Sequence, residues 1–310
     1  MYSHNLVIIH VPKEQAIADF LSIRNIMAGR APDIKVHVVS VAKLPPREFW
    51  RTTETRPTLI FSPHDISLDA SIKGARLIST RLPKTREAEL LASAGADVPE
   101  MRLIMPETRL DEDQWGPFTV VKPDLGLRGR GIHLMHTRDV RWTDTSLLPP
   151  DDPRHRRELV AQRYIDTGPH FTCYRVTTVL GRPIFCVSST ALDRRPELDP
   201  AGAGPLDLPV AANNMARKLE MSNDPEIIEL AVGIHAKLPK LPIMGLDIVR
   251  EQDSGRLFVL EYNSSGRIWH LSSLHGLQCQ REFGLDFYGQ FHALETIADG
   301  LIEATRSLAQ

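Results

Sequence analysis

The sequence predicts an α/β protein of several packed units, and three observations carry that prediction. A continuous apolar run, LVIIHV, is followed by a helical repeat and a second β-prone run, IKVHVVSV. Two hairpin patterns occupy the second half, FTCYRVTTV with IFCVSST and GLDIVR with FVLEYN. The chain has 310 residues, too many for one ordinary core.

Taken in order, Leu6–Val11 reads as a strand buried on both faces, because its apolar residues do not alternate. Ala16–Met27 has helical spacing through Ile17, Phe20, Leu21 and Ile26, and Ile34–Val41 and Pro57–Ser62 read as strands. Lys84–Gly95 reads as a helix with Thr85 as its cap and Gly95 as its stop. Met101–Met105, Phe118–Lys122 and Ile132–Met135 are short strands. Thr143–Arg157, rich in Asp, Pro and Arg, is a surface excursion, and Leu159–Ile165 is a strand. Phe171–Val179 and Ile184–Thr190 form a hairpin around Gly181–Arg182. The stretch 193–212 reads as a long loop, with five Pro or Gly residues within 196–205. Asp224–Leu238 is a helix, Gly245–Arg250 and Leu257–Asn263 pair as a hairpin, and Asp286–Leu308 is mostly helical.

Bulk properties exclude some functions. A formal net charge of −2 argues against a nucleic-acid partner. No apolar stretch approaches the roughly 18 residues of a membrane span. The N-terminus lacks a basic flank and a cleavage site and is expected to be a strand, not a signal peptide. The odd count of three cysteines points to reduced thiols and a cytoplasmic location.

Three motifs carry chemistry. In FVLEYN, alternation puts Val259, Glu261 and Asn263 on one strand face, and Asp247 of GLDIVR is expected to approach Glu261 across the hairpin. Two carboxylates and an amide oxygen suit a magnesium ion that also binds substrate phosphates. An isolated D…E-x-N pattern more often marks a solvated carboxylate face, but here both carboxylates interrupt strongly apolar strands. The second motif, VVKPDLGLRGRG, ends a strand in Lys122 and follows it with Gly126, Gly129 and Gly131, whose backbone can approach phosphate. It is not a Walker A loop, and taken alone a surface hairpin with a Gly turn is its more common explanation. In the third, LVAQRYIDTG leads into the hairpin that bears Arg175, a residue whose anionic partner is a phosphate or a structural carboxylate. Cys173 and Cys186 are expected to face each other across that hairpin as core residues.

The order of these motifs resembles the ATP-grasp superfamily over roughly residues 81–273, on the branch of glutathione synthetase, D-alanine–D-alanine ligase and glutamate-tail ligases. The resemblance implies an N-terminal α/β domain (1–80) and two lobes (81–165 and 166–310) that clamp ATP. It implies that Lys84 and Lys122 contact phosphates, that Gln162, Arg163, Tyr164 and Ile165 line the adenine pocket, and that Arg175 faces the transferred phosphate. It implies that Asp247, Glu261 and Asn263 hold Mg2+, with Mn2+ as a substitute. The chain departs from the family pattern at Leu127, Arg128, His170 and Cys173.

The activity so implied is an ATP-dependent carboxylate–amine ligase that works through an acyl phosphate. Its partners would be small-molecule or peptide acids and amines, and a homodimer is in keeping with the branch. The loop 193–212 would act as a lid, on whose closure Arg194 or Asn214 would reach the active centre, and Ser264–His270 would touch the second substrate. The alternatives are an ATP-grasp kinase, which accumulates a phosphorylated product, and a non-catalytic ATP-binding regulator, which forms no ADP.

Overall fold

The computed structural model describes residues 2–126, 129–202, 205–206, 216–264 and 268–309. The chain opens with β1 (His4–His10), α1 (Ile17–Arg30), β2 (Ile34–Ser40), α2 (Arg47–Thr53), β3 (Thr58–Ser62) and β4 (Ala75–Ile78). These strands make a parallel sheet in the order β2-β1-β3-β4. β1 is buried almost throughout because both sheet faces are covered. Leu6 and Ile8 face α1, while Val7 and Ile9 pack against Trp50 of α2.

Next come α3 (Lys84–Ser93), β5 (Met101–Leu103), α4 (Glu112–Trp115), β6 (Phe118–Pro123), β7 (His133–His136) and β8 (Leu159–Arg163). Thr85 does not cap α3 with its side chain. Its backbone N–H instead donates to Asp124 Oδ1 at 2.9 Å, so the cap comes from the end of β6. The expected stop holds: Gly95 has φ +83° directly after the helix.

The rest comprises β9 (Thr172–Val179), β10 (Arg182–Ala191), β11 (Pro205–Leu206), β12 (Arg217–Met221), α5 (Pro225–Ala236), β13 (Ile243–Arg250), β14 (Leu257–Asn263), α6 (Leu274–Phe283) and α7 (Ala293–Leu308). The β9–β10 turn is Leu180–Gly181, both at positive φ, one residue earlier than expected. The strands of the second half complete two antiparallel sheets, in the orders β11-β7-β6-β8-β5 and β12-β10-β9-β13-β14. β11 joins the edge of the second sheet, and Leu91 of α3 packs into a core with Val176 and Leu246 of the third sheet and Ile234 of α5.

The third sheet also shares a core with the first. Phe20, Leu59 and Phe61 pack in one cluster with Val179, Phe185, Trp269 and Ile297. No helix among the described residues is long and apolar enough to cross a membrane.

Candidate active site

The site lies where the second and third sheets face each other, and a β-bulge organises it. Asp247 pairs with Glu261 as expected, but the next pair is Ile248 with Val259, so Leu260 is the extra residue. A bulge shifts the alternation of side chains by one. Val259 therefore packs with Tyr262, Leu246 and Val176 on the far face. It does not share a face with Glu261, which corrects the simple alternation. Phe258 and Leu260 cluster instead with Val249, Ile165, Phe171 and Cys173.

The near face of the third sheet thus has an apolar end and a charged end. The charged end holds Arg175, Asp247, Glu261 and Asn263. Arg175 lies directly across from Asp247 in the β9–β13 pairing. Its Nε and Nη2 both donate to the Asp247 carboxylate, the latter at 2.7 Å. The Arg175 partner is thus a carboxylate of the site itself. Burial opposes the guanidinium charge, but Asp247 outweighs it and holds Arg175 above its ordinary range. Gly245 leaves room for this pair, since a Cβ there would lie 3.4 Å from Arg175 Cδ and 3.1 Å from Ile268 Cδ1. Asn263 Nδ2 donates to Asp247 Oδ2 at 3.4 Å.

Two lysines meet this end. Lys84, at the start of α3, donates to Glu261 Oε2. Lys122 Nζ, from β6, lies 4.0 Å from the same oxygen and donates to Gln162 Oε1 at 2.8 Å. Gln162 Nε2 in turn donates to Leu260 O at 3.0 Å, which ties β8 to the bulge. Burial opposes ionisation of Glu261, yet Lys84 and Lys122 hold it down at about 2. Burial, reinforced by the charge of Lys84, pulls Lys122 down to about 8.

The other expected residues divide. Ile165 lies in the apolar end. The Arg163 guanidinium is engaged elsewhere, 3.7 Å from Glu251 Oε1 and 5.1 Å above the Phe258 ring. Tyr164 meets the edge of Phe118 and accepts from Arg195, which also binds Asp166. Arg194 is exposed, and Asn214 lies outside the described residues. Gly129 and Gly131 have positive φ. A Cβ on Gly131 would come within 3.0 Å of Arg154 Cγ and 3.2 Å of Pro123 Cγ, so the loop packs closely under the 143–157 excursion. Leu127 and Arg128 lie outside the described residues. His170 Nδ1 sits 3.1 Å from Ala191 O. Cys173 pairs with Ser189 and Cys186 with Val176, so the two thiols do not face each other.

Sequence reasoning missed Glu87 as a member of this site. It lies one helical turn after Lys84 and is buried among Lys84, Lys122 and Glu261. Burial pushes its carboxyl up to about 8. The i, i+3 spacing of Lys84 and Glu87 was the legible signal. It also missed Asp124, whose carboxylate fixes the start of α3.

Among the described residues no three His, Cys, Asp or Glu side chains gather as a metal cage. Asp247, Glu261 and the Asn263 amide offer oxygen donors, the kind magnesium takes alongside phosphate and water.

No protein-family model matches this chain, and no curated protein does. Solved structures match nearly its whole length. The ATP-grasp ligase PsnB, complexed with a minimal precursor, is 16% identical with a TM-score of 0.54, over 98% of this chain and 99% of that one. The D-cycloserine synthetase DcsG is 17% identical with a TM-score of 0.52, over 97% and 99%. The macrocyclase MdnC from Microcystis aeruginosa MRC, bound with precursor peptide MdnA, is 11% identical with a TM-score of 0.50, over 96% and 99%. At these identities the likeness is one of architecture, and the chain has the ATP-grasp fold.

Proposed function

We propose that this protein is an ATP-dependent carboxylate–amine ligase. One observation carries the reading: a single sheet face is apolar at one end, with Ile165, Val249, Phe258 and Leu260, and densely charged at the other. That division matches a purine base joined to a triphosphate. Lys84, Lys122 and Arg175 neutralise the phosphates, and Gly126, Gly129 and Gly131 bring backbone N–H groups over them. Gln162 and Ile165 border the base, and the backbone of Arg163 and Tyr164 continues that edge. Asp247, Glu261 and Asn263 hold Mg2+, which supplies charge neutralisation to the phosphates when bound. Mn2+, another hard cation, would suit the same oxygens.

The first step is phosphoryl transfer. A substrate carboxylate oxygen attacks the γ-phosphorus, the bond to the β-phosphate oxygen breaks, and ADP leaves with that electron pair. Lys122 and Arg175 stabilise the spreading negative charge, which is most of what such a transfer requires. In the second step an amine nitrogen attacks the acyl-phosphate carbon. The C–O bond to phosphate breaks, phosphate leaves, and the nitrogen loses a proton. Closure of the two sheets keeps water from the acyl phosphate.

Support from the fold neighbours is limited to architecture, because one fold hosts many chemistries. The free thiols Cys173, Cys186 and Cys279 support a reducing, cytoplasmic setting. The domains follow as a leading α/β unit of about residues 1–80 and two lobes divided near 165. The test uses hydroxylamine as a general amine. Candidate acids with Mg-ATP should give ADP, phosphate and an acyl hydroxamate in equal amounts. A stable phosphorylated product without hydroxamate would replace the ligase with a kinase.

A further inference from the structure

Buried polar groups in folded proteins are almost always hydrogen-bonded. Nine buried side-chain polar atoms among the described residues have no partner, and four of them belong to His10, Gln15 and Ser79. These three residues lie at the carboxyl end of the first sheet, His10 and Ser79 on either side of β3. His10 ends β1, and Ser79 directly follows β4, its N–H donating to Ser62 O at 3.1 Å. Gln15 lies between β1 and α1, and its Oε1 accepts from Val11 N at 3.1 Å. Alternation places His10 in the column of Leu6 and Ile8, and Ser79 in the column of Leu77. Leu6, Ile8 and Leu77 all face the core shared with Trp269. His10 and Ser79 therefore share one face.

All three are shielded from bulk solvent: His10 and Gln15 are 2% exposed and Ser79 is fully buried. Both ring nitrogens of His10 and the Gln15 Nε2 lack partners, as does Ser79 Oγ. A buried polar atom without a partner costs stability, so a group that paired with these atoms would be held there.

The position adjoins the charged end of the cleft. Thr80, next to Ser79, accepts through its carbonyl from Ser264, the residue after Asn263. His10 stacks on Phe20, and Phe20 stacks on Trp269 with centroids 5.0 Å apart. This end of the sheet thus borders the segment that follows Asn263. Along the near face of the third sheet, that is the side away from the apolar base end. An occupant there would meet the terminal phosphate, where acceptor substrates react.

The chemistry of the occupant follows from the donors. Burial pushes His10 below its ordinary range, so its ring is neutral and offers one donor and one acceptor. Ser79 offers both, and Gln15 adds a donor. The neighbouring carboxylate, Asp19, is already satisfied by Trp269, Ser272 and Tyr288. An uncharged group that both donates and accepts fits this set.

We propose that His10, Gln15 and Ser79 form a subsite for an uncharged hydrogen-bonding group, a hydroxyl or a carboxamide, on an acceptor substrate. The assignment rests on the ligase reading, and it makes these residues specificity determinants rather than members of the phosphate and metal site.

The experiment measures thermal shifts and ADP release of the full chain. The probes are D- and L-serine, threonine, asparagine and glutamine, set against alanine, valine, leucine, aspartate and lysine. A non-hydrolysable ATP analogue with Mg2+ is run in parallel. The expected result is a preference of about tenfold or more for the hydroxyl and carboxamide members. His10→Phe and the milder Ser79→Ala should abolish that preference and leave the nucleotide shift unchanged. A nucleotide shift with no polar preference overturns this inference alone. So does a His10→Phe protein with raised Tm and unaltered selectivity, which would mark the group as a hydrated structural feature. No nucleotide shift in the wild type overturns the ligase reading and this subsite with it.

Discussion

The second and third sheets both face the cleft, but they are built differently. The third is cored on both sides: one face packs on α3 and α5, and β9 and β10 also join the core that contains Phe20, Trp269 and Ile297. Among the described residues the second has a small satellite core around Ile104, Trp115, Val121, Val140 and Ala161. The heavily cored sheet carries the two carboxylates and Arg175. The lightly cored one brings Lys122 and Gln162 over them. The difference separates a fixed platform for charge from a cover, and local stability is expected to follow the extent of buried apolar contact.

Arg175→Met breaks the platform and should have the largest effect. It leaves Asp247 buried beside Glu261 without its guanidinium, a loss of about 3–5 kcal/mol when one partner of a buried pair is removed. Urea unfolding measures it, and excess Mg2+ should restore part of the stability. An unchanged midpoint would show that the platform does not depend on this pair.

Glu261→Gln tests the chemistry of the same sheet. Removing one charged group that stabilises a phosphoryl-transfer transition state should lower ADP release by roughly 10²–10³-fold. Turnover within about twofold of wild type would remove Glu261 from the site.

Lys122→Met tests the cover. Loss of a charged phosphate contact should weaken binding of the ATP analogue by roughly tenfold or more, and leaving buried Gln162 Oε1 without its donor should lower stability by about 1–3 kcal/mol. In the free protein Lys122 loses its charge as pH rises through about 8. Affinity for the anionic nucleotide should therefore fall above that pH in the wild type and not in the variant. Equal pH profiles for the two proteins would contradict this.

Glu87→Gln gives the smallest effect. A carboxyl raised from 4.5 to about 8 binds its proton more tightly in the folded state. The stability it contributes is fully present below about 4.5 and is lost as pH rises through about 8. The amide lacks this dependence, so the variant should be more stable than wild type at pH 9, on the order of 2 kcal/mol. Parallel stability curves from pH 5 to 9 would show that Glu87 is not held protonated.

Much of this contrast was legible in the sequence. The hairpins, the β1–α1–β2 unit and the Asp247–Glu261 pairing follow from period-two and helical patterns, which depend on local spacing. The bulge at Leu260 was not legible, because one extra residue in a strand leaves no mark in a hydrophobic pattern. It mattered, since it moved Val259 away from Glu261 and brought Leu260 to the cleft. α6 and β12 also escaped notice. α6 exposes Leu274 and Leu277 and buries only Gly276 and Cys279, and β12 is a five-residue edge strand. The cap on α3 escaped because Asp124 lies 39 residues from Thr85.

The central claim is that the apolar-to-charged face seats ATP with its phosphates between Lys122 and Glu261. A crystal structure with a non-hydrolysable ATP analogue and Mg2+ tests it most directly. The account predicts the base against Ile165 and Leu260, the triphosphate at Lys84, Lys122 and Arg175, and the metal on Asp247, Glu261 and Asn263. A nucleotide bound away from Lys122 and Glu261 would contradict it.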